Sequence, residues 1–267
     1  MGALREFELE GWQGAAATYD GFAGATRLFV PALVQAAGAK PGVRLLDIAC
    51  GTGVASQAAA TFGARVTGVD FSPAMLAMAR SLHPRIRFEV GDAERLPFAD
   101  ARFDAIISNF GLHHVEHPER AVTEARRVLV TGGTFAFTVW AAPQENTAWR
   151  IIFDAVKACG RLDVPMPAGN NATATRENFA RLMVGAGFDP ATLRSKLLTE
   201  DWLLLPDADL VSIFETGTVR MATLLRGQRA EALAAIRRGV ADRLQAYRRD
   251  QAIALPTRAW LIAAKAP

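Results

Sequence analysis

Cysteine is nearly missing: 267 residues hold only Cys50 and Cys159. That excludes a disulfide framework and any CxxC metal or redox pair, and a reducing cytoplasm is the expected setting. Lysine is scarce as well, at Lys40, Lys157, Lys196 and Lys265, and the arginines are scattered along the chain. The net charge of +3 therefore gathers into no like-charge block, and no nucleic-acid partner is expected. No apolar run reaches transmembrane length, so no membrane insertion is expected. The opening MGALREFELEGW breaks its apolar residues with charges and lacks the apolar region of a secretory signal, so the sequon at Asn171-Ala172-Thr173 carries no weight. Fixed-period repeats and low-complexity tracts are absent too. What is present is an ordinary globular composition, with 51% hydrophobic and 21% charged residues. The length predicts a single domain with an embellishment.

Short apolar runs alternate with helix-like segments, the pattern of parallel strands joined by crossover helices. Strands are predicted near 43–48, 65–70, 86–90, 104–108 and 133–140. Helices are predicted over 53–61, 73–81 and 118–130, with Pro73 and Pro118 at first-turn positions and the last helix stopping at Gly132-Gly133. Beyond Trp140 the alternation loosens into a helix near 145–159, a loop over 161–173 and a helix near 176–186. A strand near 191–199, a helical stretch over 207–249 and a last strand from Thr257 follow. The helical stretch would be an insertion between the last two strands, capping one side of a doubly wound sheet.

The segment LLDIACGTG, Leu45 to Gly53, brings Asp47 to the end of a strand just before a glycine turn. Such a turn presents backbone N–H groups and a helix N-terminus to a ligand at close range. A dinucleotide-binding GxGxxG turn is one reading, but Ser56 stands at the third glycine and Asp47 would repel a pyrophosphate. A cationic ligand carrying a sulfonium and an ammonium suits the carboxylate. Asp70 ends the second strand, and Asp92 follows the third in GDAERLPF. Three acids thus fall at consecutive strand carboxyl ends, where open α/β sheets bind ligands.

These motifs, in this order over roughly residues 12 to 140, resemble the class I S-adenosylmethionine-dependent methyltransferases. Within them they are similar to the group related to ubiquinone and menaquinone biosynthesis, methyltransferase type 11. The resemblance implies an α/β fold, a doubly wound, mostly parallel, seven-stranded Rossmann-like sheet with a helical cap. One domain over 1–267 is expected, with 1–40 as a helical lid, 41–140 as the cofactor-binding half, and 141–186 and 200–250 as cap elements over the acceptor. S-adenosylmethionine is the implied cofactor. Asp47, Ala49, Gly51 and Gly53 match the first motif, with Ala49 where a glycine is often found. The resemblance makes Asp70 the acid that would bind the ribose hydroxyls, with Phe71 and Met75 expected to pack on the adenine and Asp92 with the Ala93 N–H to read its edge. Asn109 and Phe110 form the loop beneath the transferred methyl, and Tyr19, followed by Asp20, resembles a lid residue.

Methyl transfer is an in-line displacement, so alignment of the acceptor is the main task and a base is needed only if the acceptor loses a proton. His113 and His114, in GLHHVEH after the Asn109-Phe110 loop, are the candidate bases, against a purely structural role. Three histidines here, His117 included, do not make a metal site, because adjacent side chains diverge and no further ligand cluster completes a shell. Trp140, Trp149, Phe153, Trp202 and Phe214 are candidate walls of an apolar acceptor pocket, and Arg150, Arg220 and Arg226 candidate anchors for an anionic acceptor. The expected partner is a small organic acceptor, aromatic, quinone-like or a natural product, methylated on oxygen, nitrogen or carbon. An RNA substrate, a nicotinamide oxidoreductase and a non-catalytic binding protein are the alternatives, with a homodimer among the open oligomeric states.

Overall fold

The computed structural model describes residues 2–169 and 175–267; the sequon at 171–173 and the end of the loop expected over 161–173 lie outside them. Five parallel strands form where the apolar runs predict: β1 (Arg44–Ile48), β2 (Arg65–Asp70), β3 (Arg87–Val90), β4 (Phe103–Asn109) and β5 (Leu129–Trp140). Helices α4 (Val54–Thr61), α5 (Pro73–Leu82) and α6 (Pro118–Val128) cross between them. Leu45, Leu46 and Ile48 of β1 are fully buried, as continuous apolar runs in a two-sided parallel sheet must be. The sheet order is β3-β2-β1-β4-β5-β8-β6, with β8 (Ala252–Lys265) and β6 (Arg194–Leu204) antiparallel; the two-residue β7 (Arg248–Arg249) also pairs with β8. Chain direction through the sheet switches between β1 and β4, the position at which such sheets open a ligand crevice.

Two boundaries differ from expectation. The helix before β5 stops at Val128, not at the glycines, because Leu129 is already extended and pairs with Phe103. The glycines form an irregular step inside the strand, where register jumps from Phe103↔Leu129 to Ala105↔Thr134 and Gly132 takes φ 76°. The strand expected over 191–199 instead runs on to Leu204. Its acidic residues Glu200 and Asp201 lie on the exposed edge while Trp202 and Leu204 point into the core, and β8 pairs with its whole length from Ile253 to Ala263.

Three layers enclose the sheet. On one face α6 and α8 (Arg176–Gly185) bury Phe135, Phe137, Phe179 and Met183. On the other, α3 (Val30–Ala36) and α4 pack on Leu45, Ala105, Ile107 and Ala136. A separate apolar cluster joins α7 (Thr147–Cys159), α9 (Leu210–Gly217), α10 (Arg220–Arg226) and α11 (Ala230–Leu244) around Phe214, Ile152, Leu225 and Ile236. Phe22 of α2 (Asp20–Arg27) reaches into that cluster and touches Trp140, Trp149, Trp202 and Phe214 edge-on at 5.3–6.3 Å. The segment before the sheet is thereby tied to the insertion between its last two strands.

Candidate active site

A cleft opens over the carboxyl ends of β1, β2 and β4, with about 870 Å³ of empty space counted to its open mouth. Its floor is the turn after β1. Ala49 and Gly51 both take left-handed backbone, at φ 55° and 54°, and a Cβ on Gly51 would meet nothing within 4 Å. Gly53, at φ 84°, heads α4 from beneath, where a Cβ would come within 2.9 Å of Phe88 and His83. Glycine is required at Gly53 by packing together with its left-handed backbone, and at Gly51 it avoids the strain that Ala49 carries at nearly the same φ. Phe110, across the cleft, is a second non-glycine residue at positive φ, 58°. Gly111 next to it has no room for a side chain, since a Cβ would lie 2.5 Å from that of Ala49. Strained backbone on both walls of one cleft is a feature of binding sites.

Asp70 ends β2 with each carboxylate oxygen held by one backbone donor, Oδ2 by Gly51 N–H at 2.8 Å and Oδ1 by Ser72 N–H at 2.9 Å. Burial pushes its pKa up, and these N–H donors pull it back. Each oxygen keeps acceptor capacity for a ligand hydroxyl. Ser72 caps α5 by accepting from Met75 N–H, which places Phe71 and Met75 on the wall. Asp92 accepts from Glu94 N–H at 2.9 Å, and Ala93 lies beside it on the cleft. Asn109 Oδ1 accepts from the Thr138 hydroxyl at 2.7 Å, its amide donates to the Thr26 carbonyl at 3.2 Å, and Phe110 stacks on Trp140 at 3.8 Å.

Of the predicted residues, Tyr19, Ala49, Gly51, Asp70, Phe71, Met75, Asp92, Ala93, Asn109, Phe110 and His114 line this one cleft. Asp47, Gly53 and His113 are not on its wall. Asp47 is fully buried beneath the turn, with Oδ2 accepting from the Ser56 hydroxyl at 2.6 Å and Oδ1 without a hydrogen-bond partner. Burial, with Asp70 nearby adding to it, raises its pKa to about 7. His113 is buried with Nδ1 unpartnered, and burial holds the imidazole well below its ordinary pKa, so it stays neutral. Among the predicted aromatics Trp140 lines the cleft, while Trp149, Trp202 and Phe214 sit in the cap cluster. Arg150 donates to the Tyr247 hydroxyl, Arg220 to the Pro167 carbonyl and Arg226 to the Glu215 carbonyl, and none of the three lines the cleft. No cluster of three metal-ligating side chains occurs among the described residues.

Residues of α1 (Ala3–Ala15) also reach the cleft; a helical segment over 1–40 was expected, but none of these side chains was named. Arg5 pairs with Asp92 at 2.8 Å, Glu8 with His114 at 3.1 Å, Trp12 lies edge-on to His114 at 4.9 Å, and Ala15 packs with Met75. Positions 5, 8, 12 and 15 repeat at helical spacing, one face of α1 laid over the cleft. That spacing is readable in the sequence; its mixture of charge and apolar character hid it.

The donor set fits a nucleoside carrying a cationic tail. Asp70 and Asp92 offer carboxylates, apolar walls lie between them, Gly51 leaves open space, and the orphaned Asp47 Oδ1 sits beneath the turn. Comparison with known proteins agrees. The family model described as a methyltransferase domain matches residues 46–137. Over 120 residues the chain is 42% identical to a demethylmenaquinone methyltransferase of Renibacterium salmoninarum, covering 45% of this chain and 51% of that protein. It is 41% identical over 120 residues to the protein of the same name from Beutenbergia cavernae, covering 45% and 50%. The chain thus spans about half the length of the curated relatives it matches. The structure of an S-adenosylmethionine-dependent methyltransferase from Thermotoga maritima has the same fold, with a TM-score of 0.57, 18% identity and coverage of 97% of this chain and 99% of that one.

Proposed function

We propose that this chain, whose residues 46–137 match the family model of a methyltransferase domain, transfers a methyl group from S-adenosylmethionine to a small organic acceptor. The observation that carries the reading is the single cleft that gathers Gly51, Asp70, Asp92, Ala93, Asn109 and His114 at the sheet's switch point. Asp70 would hold the ribose hydroxyls, Asp92 and the Ala93 N–H the adenine edge, and Phe71 and Met75 its faces. Asp47, beneath the turn, favours the cationic methionine end through space. When bound, the cofactor supplies a methyl group on a sulfonium, which departs as a neutral thioether when an acceptor's electron pair takes the methyl.

This chain's own contribution is positioning and exclusion of water. Phe22, Tyr19, Phe110 and Trp140 give the cleft an aromatic end beside Asn109, which suits a planar apolar acceptor. A quinone-like acceptor agrees with that end and with the substrate in the relatives' name. Residues 1–40 act as the lid, 41–140 as the cofactor-binding half, and the helices within 141–186 and 200–250 as the cap.

Calorimetric titration with S-adenosylmethionine, S-adenosylhomocysteine and NADH in parallel tests the reading. Micromolar binding of both sulfur nucleosides and none of NADH is expected. Asp70→Ala should weaken that binding at least a hundredfold, the loss of two hydrogen bonds to a charged group, and His114→Ala by less than threefold. Binding of NADH alone, or equal losses in the two variants, would overturn the assignment.

A further inference from the structure

The buried carboxylate of the lid helix is not explained by cofactor binding. Glu8 is 1% exposed, and a carboxylate is removed from water at high cost unless its oxygens are satisfied. Its short contacts are both on Oε2, which accepts from Trp12 Nε1–H at 3.1 Å and faces His114 Nδ1 at 3.1 Å. Oε1 faces the Arg220 guanidinium at a longer 3.8 Å, and Arg220 Nη1 makes no hydrogen bond there. Arg220 is itself held over the Phe7 ring at 5.8 Å and donates to the Pro167 carbonyl at 2.7 Å. The guanidinium lies within ion-pair distance of Oε1, while Oε2 accepts from the indole N–H and faces the imidazole.

Those partners decide the proton on His114. An ionised carboxylate only accepts, so the facing Nδ1 must carry hydrogen, and in the neutral ring Nε2 then holds the lone pair. We propose that Glu8 is a positioning residue, which fixes His114 as the Nδ1–H tautomer so that Nε2 takes a proton from the methyl acceptor in the cleft. This rests on the methyl-transfer reading above. The acceptor's bond to hydrogen breaks toward Nε2, the electron pair it leaves behind takes the methyl group, and the proton then leaves to solvent. Glu8 faces the imidazolium through the Nδ1–Oε2 contact, the part an orienting carboxylate plays beside a catalytic histidine. Since Glu8 lies on α1 and His114 follows β4, the base is complete only with α1 seated. His113 cannot substitute, because it lies off the cleft wall. Asp70 at the end of β2 interacts with the ring, and the other charged groups lining the same cleft are Arg5, Asp92, Glu94 and Glu116.

Nitrogen-15 NMR of the histidine-labelled, ligand-free chain reads the tautomer directly and needs no acceptor. In the wild-type protein above pH 8, His114 should show a protonated Nδ1 and a bare Nε2. Glu8→Ala should shift the ring toward the Nε2–H form that free imidazole prefers. A wild-type His114 that is protonated on Nε2, or a tautomer unchanged in Glu8→Ala, overturns the proposal. The wild-type spectrum decides this even if the alanine variant does not fold. Failure of wild-type protein to bind S-adenosylhomocysteine would instead strike the methyl-transfer reading and leave the tautomer result standing.

Discussion

Replacing Asp47 by asparagine keeps the shape of the side chain and removes its charge, so stability and binding should move in opposite directions. The carboxyl is fully buried, and burial raises its pKa from 3.8 to about 7. Its folded-state pKa lies above its unfolded one, so the folded protein binds the extra proton between those values and loses stability as pH rises through them. At about 1.36 kcal/mol per unit, the ionised group costs roughly 4 kcal/mol above pH 7, and about 2.5 kcal/mol of that appears between pH 5 and pH 8. Asparagine has no such cost, and its carbonyl can still accept from Ser56. Urea denaturation of both ligand-free proteins at pH 5, 6, 7 and 8 should show the variant gaining about 2.5 kcal/mol on wild type across the series, or roughly 5–10 °C in melting temperature. Binding should show the reverse. A cation above the turn favours the carboxylate, so wild-type affinity for S-adenosylmethionine should rise toward tenfold per pH unit below 7 and level off above it, while the variant binds weakly with no such dependence. A stability difference that stays constant from pH 5 to 8 would refute the buried, proton-linked carboxyl and its role under the cofactor.

Two backbone predictions test the turn itself. Gly53→Ala places a Cβ 2.8 Å from the Phe88 ring at φ 84°, and should cost about 2–3 kcal/mol in urea denaturation. Ala49→Gly relieves left-handed strain at φ 55° and should gain about 0.5–1 kcal/mol once the flexibility added to the unfolded chain is counted; any loss of stability would mean that the Ala49 methyl packs more favourably than its backbone is strained.

How far the sequence reached depended on the range of the physics involved. The order of strands and crossover helices was legible because a two-sided parallel strand must be apolar throughout, and Leu45-Leu46 with Ile48 say so locally. Asp70, Asp92 and Gly51 were legible because strand ends and turns are local signals. The continuation of β6 past Glu200 and Asp201 was not, since those acids are tolerated only where the strand forms an outer edge of the sheet and β8 pairs with its full length. The glycine step in β5 was misjudged for the same reason. Gly132 and Gly133 look like a helix stop until Phe103 and Ala266 are in place, with Gly132 N–H donating to the Ala266 carbonyl and Ala266 N–H to that of Gly133.

Helix α1 shows why the remaining part of the cleft was hidden. Taken alone, Arg5, Glu8 and Trp12 are an amphipathic helix of mixed character, and a solvated charged face is what such a pattern ordinarily means. Each is placed on the cleft only through a partner about ninety to a hundred residues away, Asp92 for Arg5 and His114 for Glu8 and Trp12. Glu8 is the discriminating residue. A carboxylate that was merely solvating the helix would lie in water, and one that was merely structural would hydrogen-bond its guanidinium. Glu8 does neither: it is buried, keeps Arg220 at 3.8 Å, and places one oxygen between an indole and the histidine that faces the cleft. The same helix thus touches Asp92 through Arg5 and His114 through Glu8, two residues of one cleft, so seating α1 fixes side chains that come from the ends of two different strands.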